Sequence, residues 1–122
     1  MPRVVHFELA VDDPKRASAF YQNVFGWKVS QWSDQDYWLV GTGEDSERGI
    51  DGALTPRQEN MPPVVNTIDV QSLDDSLAAI LANGGQTAMP KMTVPGVGYL
   101  AYCTDTEGNL FGMMESDPNA QP

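Results

Sequence analysis

Residues 4–11, VVHFELAV, alternate between two kinds of side chain. Val5, Phe7 and Leu9 fall on one side of an extended chain, and His6, Glu8 and Ala10 fall on the other. The first side is apolar and needs a cover, which the next segment supplies. Asp13 is placed to cap a helix whose first residue, Pro14, has no N–H to lose. Ala17, Phe20, Tyr21, Val24 and Phe25 then recur at helical spacing, and Gly26 is placed to end the helix. The pattern predicts a strand covered on its Val5/Phe7/Leu9 face by a helix. His6 and Glu8 then look away from that helix.

The same grammar returns about sixty residues later. VVNTIDV, residues 64–70, reads as a strand. Ser72 and Asp75 have the spacing of a capping box. Leu73, Leu77, Ile80 and Leu81 form an apolar stripe that Gly84 and Gly85 stop. Short strands follow each helix: 28–31, 37–42 and 50–54 after the first, and 87–89, 98–104 and 109–115 after the second. The order is βαβββ twice, an internal duplication of pattern more than of identity.

HFELAVDDPKRASAFYQNVFGW, the later ANGG and DTEGNLFG at 105–112 together resemble the vicinal-oxygen-chelate superfamily. That superfamily includes glyoxalase I, bleomycin-resistance proteins and extradiol dioxygenases. The resemblance runs from about Val4 to Glu115. It implies an α+β fold: two βαβββ modules forming a curled mixed sheet with an internal cleft and the helices outside. Module one would span about 3–56 and module two about 62–116, within a single domain of residues 1–116. Residues 117–122 read as a flexible tail. Function is less constrained, because one fold hosts unrelated chemistries.

Composition narrows the choices. One domain suits 122 residues, and 41% hydrophobic content is enough for a core. No run of about 20 apolar residues is present, which argues against a transmembrane helix. The net charge of −10 argues against nucleic acid and against anionic membranes. It favours solubility, or attraction of a cationic ligand. The acidic residues are scattered and mark no site. The single cysteine, Cys103, cannot form an internal disulfide, and without a targeting signal the expected location is cytoplasmic.

Metal enzymes of the superfamily take ligands from the first and last strand of each module, usually His or Gln, Glu, His and Glu. Imidazole and carboxylate suit divalent transition metals. By the resemblance, His6 falls at the first position. The second holds Asp51 or Gly52, the third Val65 or Asn66, and the fourth Gly112. Glu115 is nearby but three residues on, so a regular strand turns it to the opposite face. One good ligand, one doubtful and two missing fall short of the three a catalytic metal needs. His6 is the only well-placed candidate, and no metal or other cofactor is expected. His6 then reads as a polar residue lining the cleft, able to titrate near neutral pH.

Aromatic residues are the next candidates. Trp32, Tyr37, Trp38, Tyr99 and Tyr102 fall on strands that wall the cleft, where they suit flat or cationic molecules or ordinary packing. TVPGVG, residues 93–98, is a Gly/Pro-rich connection without a P-loop lysine. GTGEDSERG, residues 41–49, reads as a mobile hairpin turn. Residues 105–109 read as a turn with Gly108 at positive φ. Cys103 sits in a strand, away from any helix N-terminus that would activate it. No hydrolase triad is present.

The expectation is a metal-free protein of the glyoxalase/bleomycin-resistance type that binds a small organic molecule, cationic or aromatic, in its cleft. The expected lining residues are His6, Glu8, Asp51, Val65, Thr67, Gly112, Trp38 and Tyr102. The alternative is a divalent-metal-dependent lyase, isomerase or dioxygenase completed across a dimer. A third possibility is a metal-independent enzyme using His6 and Glu8 as an acid/base couple. The resemblance also implies a homodimer, and exposed strand edges favour pairing.

Overall fold

The computed structural model describes all residues, Met1–Pro122. Ten elements follow one another: β1 (Arg3–Val11), α1 (Pro14–Phe25), β2 (Lys28–Gln31), β3 (Trp38–Gly41), β4 (Asp51–Pro56), β5 (Val64–Asp69), α2 (Leu73–Ala82), β6 (Gln86–Val94), β7 (Gly98–Thr104) and β8 (Leu110–Ser116). This is the expected α+β order, βαβββ twice. The chain divides into two compact units. One is His6–Val65; the other is Met1–Val5 with Asn66–Pro122.

In the first unit the strands run in the order β2-β3-β4-β1. β1 and β4 are parallel; β4–β3 and β3–β2 are antiparallel. The parallel pair aligns Phe7 with Gly52 and Leu9 with Leu54. Gly52 is required there, because a Cβ at that position would lie 2.5 Å from the Phe7 ring and from its carbonyl oxygen. The α1 cap forms as the sequence predicts: the Asp13 carboxylate accepts from the amides of Lys15 and Arg16, and Gly26 ends the helix in the left-handed region at φ 74°. The stripe on α1 is only partly covered. Ala17 and Tyr21 are half-buried, while Phe20, Val24 and Phe25 are 56%, 55% and 61% exposed.

In the second unit the order is β5-β8-β7-β6. β5 and β8 are parallel and the other pairs antiparallel. Its core joins Val70 and Leu73 to Ala101, Cys103 and Met113, with Ile68, Leu77, Ile80 and Phe111 against them. These residues define the helix face of the unit. Ser72 caps α2 by accepting from the Asp75 amide, as the capping-box spacing predicts. β6 is longer than expected. It runs past Pro90 to Val94 by slipping register twice against β7. Gly108 has the expected positive φ, 82°.

Two segments are more tied down than their composition implies. In the 41–49 turn, the Glu47 amide donates to the Glu44 carbonyl, and the Glu44 amide donates to the Glu47 carboxylate at 2.9 Å. Of residues 117–122, expected as a flexible tail, 117–120 form a turn against the β6–β7 connection. The Gly96 amide donates to the Ala120 carbonyl, the Asp117 amide donates to the Val97 carbonyl, and Ala120 is buried. Asp117 closes the turn by accepting from the Asn119 amide.

Candidate functional site

Strand parity decides which side chains meet. In parallel β1–β4, His6 lies opposite Asp51 and Glu8 opposite Ala53, so these four share one face of the first unit. Gly52 lies opposite Phe7 on the other face. Of the two candidates for the second ligand position, Asp51 is therefore the one beside His6. Leu39, paired with Ala53, adds a half-exposed apolar side chain to the His6 face.

Trp38 does not join them. It pairs with Leu54, which pairs with Leu9, so Trp38 sits on the Phe7/Leu9 face. Its neighbour Tyr37, also expected on a cleft wall, meets His6 instead. The Tyr37 hydroxyl is 2.8 Å from His6 Nε2. The two rings lie edge to edge and nearly coplanar, with centroids 6.4 Å apart and planes 9° apart. Trp32 meets Tyr37 edge to face at 6.1 Å. The hairpin from Trp32 to Tyr37 places these rings: the Trp32 amide donates to the Tyr37 carbonyl, and Ser33 takes φ 54° to make the turn. The result is a row of three aromatic rings, Trp32–Tyr37–His6, with Glu8 and Asp51 on the same sheet face as His6.

Burial pushes the His6 imidazole below its ordinary pKa of 6.5, while the negative charges of Glu8 and Asp51 pull it partly back. At neutral pH the ring is uncharged. In the tautomer with the proton on Nδ1, Tyr37 donates its hydroxyl proton to Nε2. Asp51 is also engaged: its carboxylate accepts from the Thr42 amide at 2.8 Å.

On the second unit, Thr67, Gly112 and Tyr102 form one row across β5, β8 and β7. Val65 and Thr67, on the same side of β5, are both buried. Gly112 stands where the superfamily's fourth ligand would be. A Cβ there would lie 3.1 Å from Thr67 Oγ1 and 3.2 Å from the Tyr102 ring, so the space for a larger residue is already filled. Asn66 pairs with Phe111, on the helix face of this unit. Glu115 pairs with Tyr99, and its carboxylate accepts from the Leu73 amide at 2.8 Å. It caps α2.

The residues present do not fit a superfamily metal. No group of three or more His, Cys, Asp or Glu side chains comes together to hold an ion. The first ligand position is bonded to Tyr37, the second is bonded to Thr42, and the third and fourth offer Val65 or the outward Asn66, and Gly112. Cys103 is buried, and burial raises its thiol pKa, so it is no nucleophile at neutral pH. No helix is long and apolar enough to cross a membrane.

The architecture defines the chain as a glyoxalase-type α+β protein, and comparison with known proteins agrees. A family model described as bleomycin resistance protein-like N-terminal matches residues 3–43. "Putative glyoxylase CFP32" of Mycobacterium bovis is 29% identical over 119 residues; the match covers 90% of this chain and 44% of the relative. The chain thus spans under half the length of that curated relative. Among solved structures, methylmalonyl-CoA epimerase from Mycobacterium tuberculosis superposes with a TM-score of 0.72 at 16% identity, over 94% of this chain and 88% of the other. A glyoxalase/bleomycin resistance protein/dioxygenase superfamily member from Vibrio splendidus 12B01 gives 0.67 at 17% identity, over 96% and 100%. Together these matches show that the chain is similar to glyoxalase/bleomycin-resistance-type proteins and shares their fold.

Proposed function

We propose that this chain is a metal-free small-molecule-binding protein of the glyoxalase/bleomycin-resistance type. It takes a flat aromatic or cationic ligand on the face that carries His6. The Trp32–Tyr37–His6 row is the observation that supports this most directly. Rings held by neighbours offer π surface at little entropic cost, and the carboxylates Glu8 and Asp51 on the His6 face favour positive charge. Val65, Thr67, Gly112 and Tyr102 are proposed as a second set of lining residues. The ligand is sequestered rather than turned over. The protein acts as a homodimer in the cytoplasm, and nucleic acid and membranes are not its partners.

The name of the curated relative favours the other reading, a divalent-metal-dependent lyase, isomerase or dioxygenase completed across a dimer. The internal bonds of His6 and Asp51 and the filled space at Gly112 count against it. One experiment separates the two. A panel of aromatic cations and their neutral isosteres is titrated calorimetrically, with Trp fluorescence as a second readout, in EDTA and in zinc, nickel, iron or manganese. Cation-preferring binding that is the same in EDTA and weakened by Tyr37→Phe is expected. Stoichiometric metal retained through dialysis, or binding that EDTA abolishes, would decide for the metal enzyme.

A further inference from the structure

Two Asx-Gly pairs occur in the chain, Asp51–Gly52 and Asn83–Gly84, and the fold treats them differently. Gly52 is buried in β4, paired with Phe7 on one side and Val40 on the other. Asn83 and Gly84 are exposed just past the end of α2, and Gly84 has φ 91°. The Asn83 side-chain amide donates to the Ala79 carbonyl at 2.8 Å and so satisfies an end carbonyl of the helix. The Gly84 amide donates to the Leu81 carbonyl at 3.4 Å, a long contact. Just beyond them the chain has no slack. The Gly85 amide donates to the Ile80 carbonyl at 2.9 Å, and a Cβ on Gly85 would lie 2.6 Å from Ile80 Cγ2 and 2.8 Å from the Thr104 carbonyl oxygen. Ile80 in turn packs on the core of the second unit.

We propose that Asn83 is a site of spontaneous deamidation and isoaspartate formation, controlled by opening of the last turn of α2. The Gly84 nitrogen attacks Cγ, the side-chain carbonyl carbon of Asn83. The N–Cγ bond forms, the Cγ–Nδ2 bond breaks, and the Gly84 amide proton leaves with the side-chain nitrogen as ammonia. Water then opens the resulting succinimide at either carbonyl, which gives aspartate or isoaspartate. Nothing is oxidised or reduced. A side chain on the following residue crowds the attacking nitrogen, and glycine has none. The other five asparagines precede Val24, Met61, Thr67, Leu110 and Ala120. In the closed helix end both reacting groups are engaged, Nδ2 on Ala79 and the Gly84 amide on Leu81. The ring therefore closes from the frayed end, where such bonds open most easily. Both products replace the donating amide with a carboxylate. That carboxylate cannot donate to Ala79, and it adds negative charge to a helix end with no basic residue in its last turn. Isoaspartate also inserts a methylene into the main chain just before the tight passage at Gly85. The product loosens the second unit where α2 meets β6 and β7.

The full chain and the free peptide of residues 81–87 are held side by side in warm, mildly alkaline buffer. Products are followed by peptide mass spectrometry with fragmentation that separates isoaspartate from aspartate. Product is expected at Asn83 of the full chain at a rate about 5–30-fold below that of the peptide, the scale of the two bonds that must open. Ala79→Gly, an exposed change inside α2 that weakens its last turn, is expected to raise the rate about fivefold. Circular dichroism checks that this variant starts folded. Asn83→Gln keeps a side-chain amide and should give no product, and Asp51 should stay unchanged. Chain isolated with isoaspartate at position 83 should unfold at a lower urea concentration than fresh chain. An Asn83 that stays intact while the peptide converts would overturn the site. Conversion at the peptide's rate, unmoved by Ala79→Gly, would overturn control by the helix end. An unchanged urea midpoint in the isoaspartate chain would overturn the loosening of the second unit.

Discussion

His6 Nε2 and the Tyr37 hydroxyl, 31 residues apart in sequence, lie 2.8 Å apart. The bond joins the one histidine of the chain to the hairpin that carries Trp32. Because the protein has a single histidine, its imidazole signal is unambiguous in a proton NMR titration. The midpoint should fall below 6.5, because burial outweighs the pull of Glu8 and Asp51. A midpoint at or above 6.5 would contradict the buried, neutral ring.

The same shift predicts a pH dependence of stability. With the native pKa below the unfolded value, the unfolded chain binds the proton first as pH falls. The contribution of a neutral His6 is therefore fully present above pH 6.5 and is lost as pH drops from there to the native pKa. Urea unfolding of wild type and His6→Gln at several pH values checks this. The wild type should lose stability relative to the variant across that window, and parallel curves would remove His6 as the cause.

Gly52→Ala should be among the most damaging single changes in the first unit. The added methyl meets the Phe7 ring and its carbonyl, both at 2.5 Å, and a paired backbone cannot yield as a side-chain tip can. A loss of about 3 kcal/mol is expected, as for severe overpacking. Gly108→Ala is the control. It has φ 82° and nothing within 4 Å, so only backbone strain of about 1 kcal/mol applies. Equal urea midpoints for the two variants would show that the β1–β4 register is not as described.

Much of this was legible in the sequence. Asp13, Pro14 and Gly26 bound α1, and Ser72 starts α2, because caps are local chemistry. The faces of β1 follow from alternation alone. Tyr37 rather than Trp38 meets His6 for a reason alternation cannot reach: the 32–37 hairpin, with Ser33 at positive φ, sets the parity of β3. The exposed α1 stripe is similar. A pattern of apolar residues tells that something covers them, not what does. The turn at 117–120 depends on bonds to residues twenty or more positions away, which composition does not carry.

Putting the superfamily's carboxylate back should not restore a metal site. Gly112→Glu must displace Thr67 Oγ1 or the Tyr102 ring, 3.1 and 3.2 Å from the new Cβ. A loss of about 1–3 kcal/mol is expected from this crowding. His6 would still be bonded to Tyr37 and Asp51 to Thr42. Metal analysis after dialysis against zinc or nickel should find no stoichiometric ion in the variant. One ion per chain would show that a single carboxylate was all the site lacked.

Glu115 is the remaining carboxylate near that position, and its occupation elsewhere can be measured. Its Oε1 accepts from the Leu73 amide at 2.8 Å, at the end of α2 where the helix dipole favours negative charge. Leu73 is fully buried, so removal of the carboxylate leaves an amide that water does not readily reach. Glu115→Ala should therefore lower stability by about 1–3 kcal/mol, the penalty for an unsatisfied buried donor. Glu115→Gln keeps an acceptor and loses only charge, so about 0.5 kcal/mol is expected from the dipole alone. Ser72→Ala removes the other cap, on the Asp75 amide, for about 1 kcal/mol. Urea midpoints in the order wild type, Gln, Ala would tie Glu115 to the helix. A Glu115→Ala variant as stable as wild type would release that carboxylate from structural duty and reopen it as a ligand.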